Sequence, residues 1–174
     1  MSTSDLPDWK REATELRARS PRHILFLCVA NSARSQMAEG IARALAPAGV
    51  TVSSAGSQPS SVRPQAIEAL REIGIDITEH RSTSVQDVEP SSVDAVITLC
   101  AEEVCPLFLG RAIRLHWGLR DPAATQGSPA QVLQSFREVR DQLQDRLGCL
   151  FQGWATTADP ALDEPTLPAH AQES

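Results

Sequence analysis

Cys28 ends an apolar run in the stretch LFLCVANSARSQM, and Arg34 and Ser35 follow it closely. A thiolate is a strong nucleophile, and nearby positive charge or a helix N-terminus favours it over the thiol. The planar guanidinium of Arg34 matches two oxygens of a tetrahedral oxyanion. Ser35 can donate a hydrogen bond that stabilises the anionic sulfur. This spacing predicts an oxyanion cradle with a nucleophile at its floor.

The backbone around these side chains completes the predicted oxyanion site. A loop between a strand and a helix can turn successive N–H groups into one concavity, and a helix beginning near Ser35 adds the positive end of its dipole. Asn31 tolerates the left-handed backbone conformation. The predicted oxyanion-binding residues are consecutive: Val29, Ala30, Asn31, Ser32, Ala33, Arg34 and Ser35. The competing interpretation is a buried structural cysteine beside a helix that begins with arginine.

Two further cysteines, Cys100 and Cys105, are candidates for redox chemistry. Cys100 ends the apolar run VDAVITLC, so it reaches the same edge as Cys28 if both runs are strands of one parallel sheet. A disulfide between Cys100 and Cys105 is incompatible with a regular helix over that span. We therefore predict that residues 101–106 form a mobile segment whose order differs between the reduced and oxidised forms. The competing interpretation is a buried strand-end cysteine and a loop cysteine.

The elements that must position these residues alternate between short apolar strands and amphipathic helices. This pattern predicts a parallel sheet with helices on both faces, and in such sheets ligands bind beyond the carboxyl ends of the strands. Four runs are predicted as strands: 23–27, 50–56, 93–100 and 112–117. Helices are predicted from Ser35, from Pro64 to Gly74, and from Pro129, with Ser128 as the N-cap of the last.

The composition limits the classes of partner. The 174 residues carry a net charge of −6, which disfavours nucleic acid or an anionic membrane as a partner. We find neither an apolar secretory signal nor a run near the ~18 residues that span a bilayer, and we expect a cytoplasmic monomer. Thiols are kept reduced there, so a disulfide is expected to be catalytic.

Three regions are expected along the chain. Residues 1–22 form a polar extension in which a short helix with few buried residues is expected, 23–151 form the catalytic domain, and 152–174 form a disordered tail. We expect Cys149 to be buried in the core. His80 and His116 are interpreted either as site residues or as buried, hydrogen-bonded histidines.

The stretch CVANSARSQMAEG resembles the phosphate loop of the low-molecular-weight protein tyrosine phosphatases, and more closely that of the thioredoxin-coupled arsenate reductases built on the same fold. The resemblance continues through five further motifs and covers about residues 23–151: SAG (54–56), IDITEHRS (75–82), DAVITLC (94–100), HWGLRDPA (116–123) and FREVRDQL (136–143). It implies an α/β three-layer sandwich on a four-stranded parallel sheet with flavodoxin-like topology.

The resemblance also implies a reaction sequence. Cys28 attacks arsenate, and Asp121 assists the departing oxygen. Cys100 then attacks the adduct, which releases arsenite and forms a Cys28–Cys100 disulfide. Cys105 next attacks Cys100, so the disulfide passes to Cys100–Cys105. No bound cofactor is implied. The expected partner is thioredoxin, with glutathione and glutaredoxin or mycothiol as alternatives, because Cys100 and Cys105 are closer in sequence than in some thioredoxin-coupled relatives.

Some members of the resembled family bind potassium beside the loop. Asn31, Glu39 and Ser54 match those ligands, but Thr83 stands where an aspartate would be. We predict no required metal.

Two alternative functions remain open. A phosphatase acting on phosphotyrosine or a small ester needs only Cys28, Arg34 and Asp121, and has no use for Cys100 and Cys105. No aromatic-rich insertion that could hold a phosphotyrosine ring follows SAG. A non-catalytic regulator that binds an oxyanion or arsenic would keep the cradle but would need neither Asp121 nor a regenerable disulfide.

Overall fold

Helices and strands alternate along the chain as the sequence predicts. The computed structural model describes residues 7–101, 108 and 110–154, so Cys105, most of the segment 101–106 and most of 152–174 lie outside the described residues. The elements in chain order are α1 (Asp8–Ala18), β1 (His23–Cys28), α2 (Arg34–Leu45), β2 (Thr51–Gly56), α3 (Pro64–Arg71), β3 (Ala95–Cys100), β4 (Ile113–Leu119) and α4 (Pro129–Phe151).

The four strands form one parallel sheet in the order β2-β1-β3-β4. The predicted α/β class with a four-stranded parallel sheet is confirmed. Leu27 pairs with Thr98, so the carboxyl ends of β1 and β3 are neighbours at one edge of the sheet. Strand β4 runs to Leu119, two residues beyond the predicted end, because Leu119 still pairs with Cys100 after an irregularity in the β3–β4 register.

The two faces of the sheet bury different partners. Ile24 and Phe26 of β1 belong to a large apolar core shared with all four α-helices. The alternate residues Leu25 and Leu27 belong to a smaller cluster with Phe108. Helices were predicted on both faces, but in the described part of the chain irregular segments and 3-10 turns cover the smaller cluster. Because this face carries few apolar side chains, short turns are enough to bury them.

Helix α1 is part of the core, which the polar composition of residues 1–22 did not predict. Ala13 and Leu16 are fully buried, and the helix packs along α4. Residues three apart lie on one helix face, so two apolar side chains are enough to bury that face. The boundaries of the three predicted regions stay a prediction.

Candidate active site

Cys28 lies at the end of β1, buried to 2% exposure, and α2 begins six residues later at Arg34. Asn31 takes the expected left-handed conformation, with φ of 47°. The Sγ of Cys28 and the Oγ of Ser35 are 2.8 Å apart. Ser35 Oγ also accepts a hydrogen bond from Asn31 Nδ2 at 2.8 Å, so its single hydroxyl hydrogen is available to the sulfur.

The carbonyl groups of this loop are held by the segment that follows β2. Backbone N–H groups of the segment 57–63 donate to them. The three bonds run from Gln58 to Val29 (2.9 Å), from Ser60 to Ala30 (3.1 Å) and from Arg63 to Ser32 (2.9 Å). In a trans peptide the N–H points opposite to the carbonyl, so the next N–H groups of the loop point away from this segment. The predicted oxyanion cradle therefore has a structural basis in its own backbone.

Gly56, at the end of β2, allows the loop to lie this close. A Cβ atom at Gly56 would be 2.9 Å from the backbone N of Asn31 and still closer to the carbonyl oxygen of Val29. Only glycine tolerates that approach, because the opposing atoms are backbone and cannot turn aside. The sequence marked this glycine as a strand end but carried no signal of its contact with the loop.

Arg34 is buried to 3% exposure, and residues at and just after the end of β4 hold its guanidinium. Its Nη1 donates to the carbonyl oxygen of Leu119 at 3.0 Å, and its Nη2 lies 3.8 Å from Asp121 Oδ2. The other carboxylate oxygen of Asp121 accepts from the backbone N of Ala123 at 3.0 Å. This bond caps a short 3-10 turn over Pro122–Ala124 and holds the carboxylate at the site.

These groups surround one cavity of about 160 Å³. It is lined by Cys28, Val29, Ala30, Ser32, Ala33, Arg34 and Asp121. Asn31 and Ser35 face the interior of the loop instead, where they hydrogen-bond to each other. The cavity thus brings a sulfur, a guanidinium and a carboxylate together around a space for a small anion.

A buried polar network supports the loop from behind, and its central residue, Gln36, was missed by the sequence reasoning. Gln36 Nε2 donates to Asn31 Oδ1 at 2.9 Å and to the Arg81 carbonyl at 3.0 Å, which leaves its Oε1 to accept from His80 Nδ1 at 3.0 Å. Burial lowers the pKa of His80, and nearby Glu39 opposes that change. His80 is therefore a supporting residue rather than part of the cavity.

The residues matched to a potassium site meet in the same network. Asn31 Nδ2 donates to Ser54 Oγ at 2.9 Å, and Ser54 Oγ donates to Glu39 Oε2 at 2.8 Å. Asn31 Oδ1 accepts the backbone N–H of Thr83 at 2.8 Å. This bond comes from the backbone of Thr83, and its side chain adds no carboxylate at the position where those family members have an aspartate.

Cys100 is the last residue of β3, buried to 1% exposure, and reaches the predicted sheet edge beside β1. Cys149 was predicted to be buried in the core; it packs against the main core but is only partly buried, near the end of α4 where the helix meets α1. His116 is exposed and pairs its Nδ1 with Thr98 Oγ1 at 2.7 Å. It does not line the cavity.

Within 7–101, 108 and 110–154, no helix is both long and apolar enough to span a bilayer. Over the same ranges, no three His, Cys, Asp or Glu side chains form a group that could hold a metal ion.

Comparisons with known proteins agree with the predicted resemblance. The family model for low molecular weight phosphotyrosine protein phosphatase matches residues 23–159. An arsenate reductase of Halalkalibacterium halodurans is 41% identical over 126 residues, which is 71% of this chain and 91% of that protein. A solved arsenate reductase in a phosphate-binding state superposes with a TM-score of 0.65 at 34% identity, covering 77% of this chain and 99% of that one.

A third similar protein is described as thioredoxin-dependent. The structure of a thioredoxin-dependent arsenate reductase of Corynebacterium glutamicum superposes with a TM-score of 0.50 at 26% identity. The match covers 80% of this chain and 70% of that one.

Proposed function

Because this chain belongs to the low molecular weight phosphotyrosine protein phosphatase family, and within it to the arsenate reductases, we propose that it reduces arsenate to arsenite with its own thiols. One observation carries the proposal. Cys28 lies in an oxyanion cradle at the end of β1, and a second buried thiol, Cys100, ends the neighbouring strand β3. Hydrolysis of a phosphate ester needs the first thiol only, whereas reduction needs electrons from a second.

In the first step the thiolate of Cys28 attacks arsenic. Arg34 and the loop N–H groups hold the arsenate oxygens, and Ser35 stabilises the thiolate until it attacks. Asp121 gives a proton to the departing oxygen, which leaves as water. The arsenic is still at the +5 level in the resulting Cys28–arsenic adduct.

In the second step Cys100 attacks the Cys28 sulfur. The sulfur–arsenic bond breaks with its electron pair staying on arsenic, so arsenite leaves and a Cys28–Cys100 disulfide forms. Leu27 of β1 pairs with Thr98 of β3, so both cysteines follow paired residues at the same end of neighbouring strands, which supports this step. Cys105 then exchanges with Cys100, which frees Cys28 and leaves a Cys100–Cys105 disulfide.

The reductant that we propose is thioredoxin, acting in the cytoplasm. A dithiol protein can reduce the Cys100–Cys105 disulfide by the same exchange chemistry and leave as its own disulfide. The thioredoxin dependence of the Corynebacterium glutamicum protein supports this choice. Glutathione with glutaredoxin and mycothiol are the alternatives that the test must separate.

The test measures arsenite formed from arsenate with thioredoxin, thioredoxin reductase and NADPH. Parallel assays supply glutathione with glutaredoxin, or mycothiol. We expect turnover in the wild type, and losses of about 10³-fold or more for Cys28→Ser, Cys100→Ser and Cys105→Ser, since each removes a nucleophile. Cys149→Ser is the matched control and should retain activity.

Two results would contradict the proposal. Turnover of Cys100→Ser at the wild-type rate in every reductant system would rule out the relay. Hydrolysis of a phosphotyrosine peptide without any reduction of arsenate would favour the phosphatase instead.

A further inference from the structure

Helix α1 precedes the part of the chain that the family model matches. The match begins at residue 23, whereas α1 covers Asp8–Ala18. The helix is nevertheless attached to the catalytic domain at several points. The matched region contains every residue of the cavity but not α1, so these attachments raise the question of what α1 contributes to the protein.

One set of attachments joins α1 to α4. Arg17 Nη1 donates to the carbonyl oxygens of Cys149 at 2.9 Å and Gln152 at 2.6 Å, where the C-terminal end of a helix has unpaired carbonyls. The guanidinium of Arg146 lies over the ring of Trp9, 5.7 Å from its centroid. These contacts hold α1 in a defined position against the domain.

A second attachment joins α1 to the sheet. The Nε1–H of Trp117 donates to Glu12 Oε2 at 3.1 Å. Trp117 is only 1% exposed, and a buried indole N–H without a partner would be unfavourable. Glu12 thus provides the acceptor that lets Trp117 be buried at this point of β4.

Trp117 stands directly before the residues of β4 that serve the active site. Two residues on, the carbonyl oxygen of Leu119 accepts the hydrogen bond from Arg34, and Asp121 follows. Among the described residues, β4 is the edge strand of the sheet and pairs only with β3. The β3–β4 register is irregular between Thr98 and Cys100, so the ladder alone holds this end of β4 less firmly.

We propose that Glu12 is a positioning residue for oxyanion binding. It anchors Trp117, Trp117 sets the end of β4, and the Leu119 carbonyl then aligns the Arg34 guanidinium with the cavity. The inference rests on the oxyanion site of the proposed function, but it does not depend on arsenate being reduced.

The test compares Glu12→Ala, Glu12→Gln and Glu15→Ala. Gln keeps an oxygen that can accept from the indole N–H, whereas Ala does not. Glu15 is on the same helix and exposed, so its replacement by Ala is the matched control. Trp117→Phe is a second variant, which keeps an aromatic ring and removes the donor.

The readout is phosphate affinity, measured as protection of Cys28 from alkylation by iodoacetamide and followed by mass spectrometry of the Cys28 peptide. We expect the dissociation constant of phosphate to rise about tenfold in Glu12→Ala and Trp117→Phe, because a misaligned charge-assisted hydrogen bond is weakened. Glu12→Gln and Glu15→Ala should match the wild type. The dissociation constant is taken from the phosphate concentration that gives half-maximal protection, so it does not depend on the alkylation rate without phosphate.

The inference is overturned if Glu12→Ala binds phosphate as tightly as Glu15→Ala does, or if Glu12→Gln loses as much affinity as Glu12→Ala. A lower melting temperature with unchanged phosphate affinity would also overturn it, as that is the result of a purely structural role. If phosphate does not protect Cys28 of the wild type, the cavity does not bind the anion and the inference is overturned as well. A wild type that binds phosphate but forms no arsenite would contradict the proposed function only.

Discussion

Arg34 Nη1 donates a hydrogen bond to the carbonyl oxygen of Leu119 at 3.0 Å, across 85 positions of the chain. The bond joins the first residue of α2, which lines the cavity, to the last residue of β4. It fixes the position of Nη1, and Nη2 lies 3.8 Å from Asp121 Oδ2. Protein contacts therefore orient the arginine before any ligand arrives.

This arrangement predicts that Arg34→Lys weakens oxyanion binding although it keeps the charge. An ammonium cannot donate to Leu119 and also present a planar pair of donors to the ligand. We expect the dissociation constant of phosphate to rise about 10- to 100-fold, measured by calorimetry. Arg63→Lys, at an exposed position on the segment 57–63, is the control. Equal affinity in both variants would contradict the bidentate role.

Ser35→Ala should slow the reaction of Cys28 with iodoacetamide. The hydroxyl of Ser35 accepts from Asn31 and is left to donate to the sulfur, so its removal takes a stabilising contact from the thiolate. A hydrogen bond to a charged group is worth about 1.5–3 kcal/mol, so we expect the rate at neutral pH to fall about tenfold or more. Ser57→Ala, on the exposed segment after β2, should react like the wild type.

Gly56→Ala should destabilise the protein and weaken phosphate binding together. The added Cβ meets backbone atoms of Val29 and Asn31, which can move only if the loop moves. Overpacking of this kind costs about 1–3 kcal/mol, which urea unfolding would detect. Gly148→Ala is the matched control, since a Cβ there meets no atom within 4 Å and the helix should gain stability. A Gly56→Ala variant with wild-type stability would contradict the contact.

The partly buried His80 predicts a pH dependence of the free energy of unfolding. Its pKa is lowered in the folded protein, chiefly by burial, from the ordinary value of 6.5. Below pH 6.5 the unfolded chain therefore binds more protons at this residue, and unfolding becomes easier as the pH falls toward the folded-state pKa. The stabilising contribution is fully present above pH 6.5.

His80→Gln should flatten this part of the pH profile, measured by urea unfolding between pH 5 and 8. Glutamine can still donate to Gln36 but does not titrate. His116→Gln is the control, because it makes the same replacement at an exposed position. A wild-type slope that persists in His80→Gln would show that another group titrates in this range.

The spacing of residues along the sequence predicted much of the candidate site. The apolar run before Cys28 predicted a buried strand, and the polar residues after it predicted a loop into a helix, because backbone conformation there depends on near neighbours. The pair Ser128 and Pro129 predicted the start of α4, where Ser128 Oγ accepts from the N of Gln131 as an N-cap. The same kind of reasoning could not find Gln36, whose side chain joins Asn31 of the loop to the distant segment that contains His80 and Arg81.

By itself, the sequence determined which chemical groups are available and how each short segment folds: a thiol at a strand end, an arginine at a helix start and a turn that accepts Asn31. Tertiary structure alone decided which of them meet. The sheet order brings β1 beside β2 and β3, so Gly56 lies under the loop and Cys100 reaches the same edge as Cys28. The packing of α1 against the domain places Glu12 where it accepts the hydrogen bond of the Trp117 indole N–H. Such contacts depend on how distant segments are packed together, and local residue spacing contains no record of that packing.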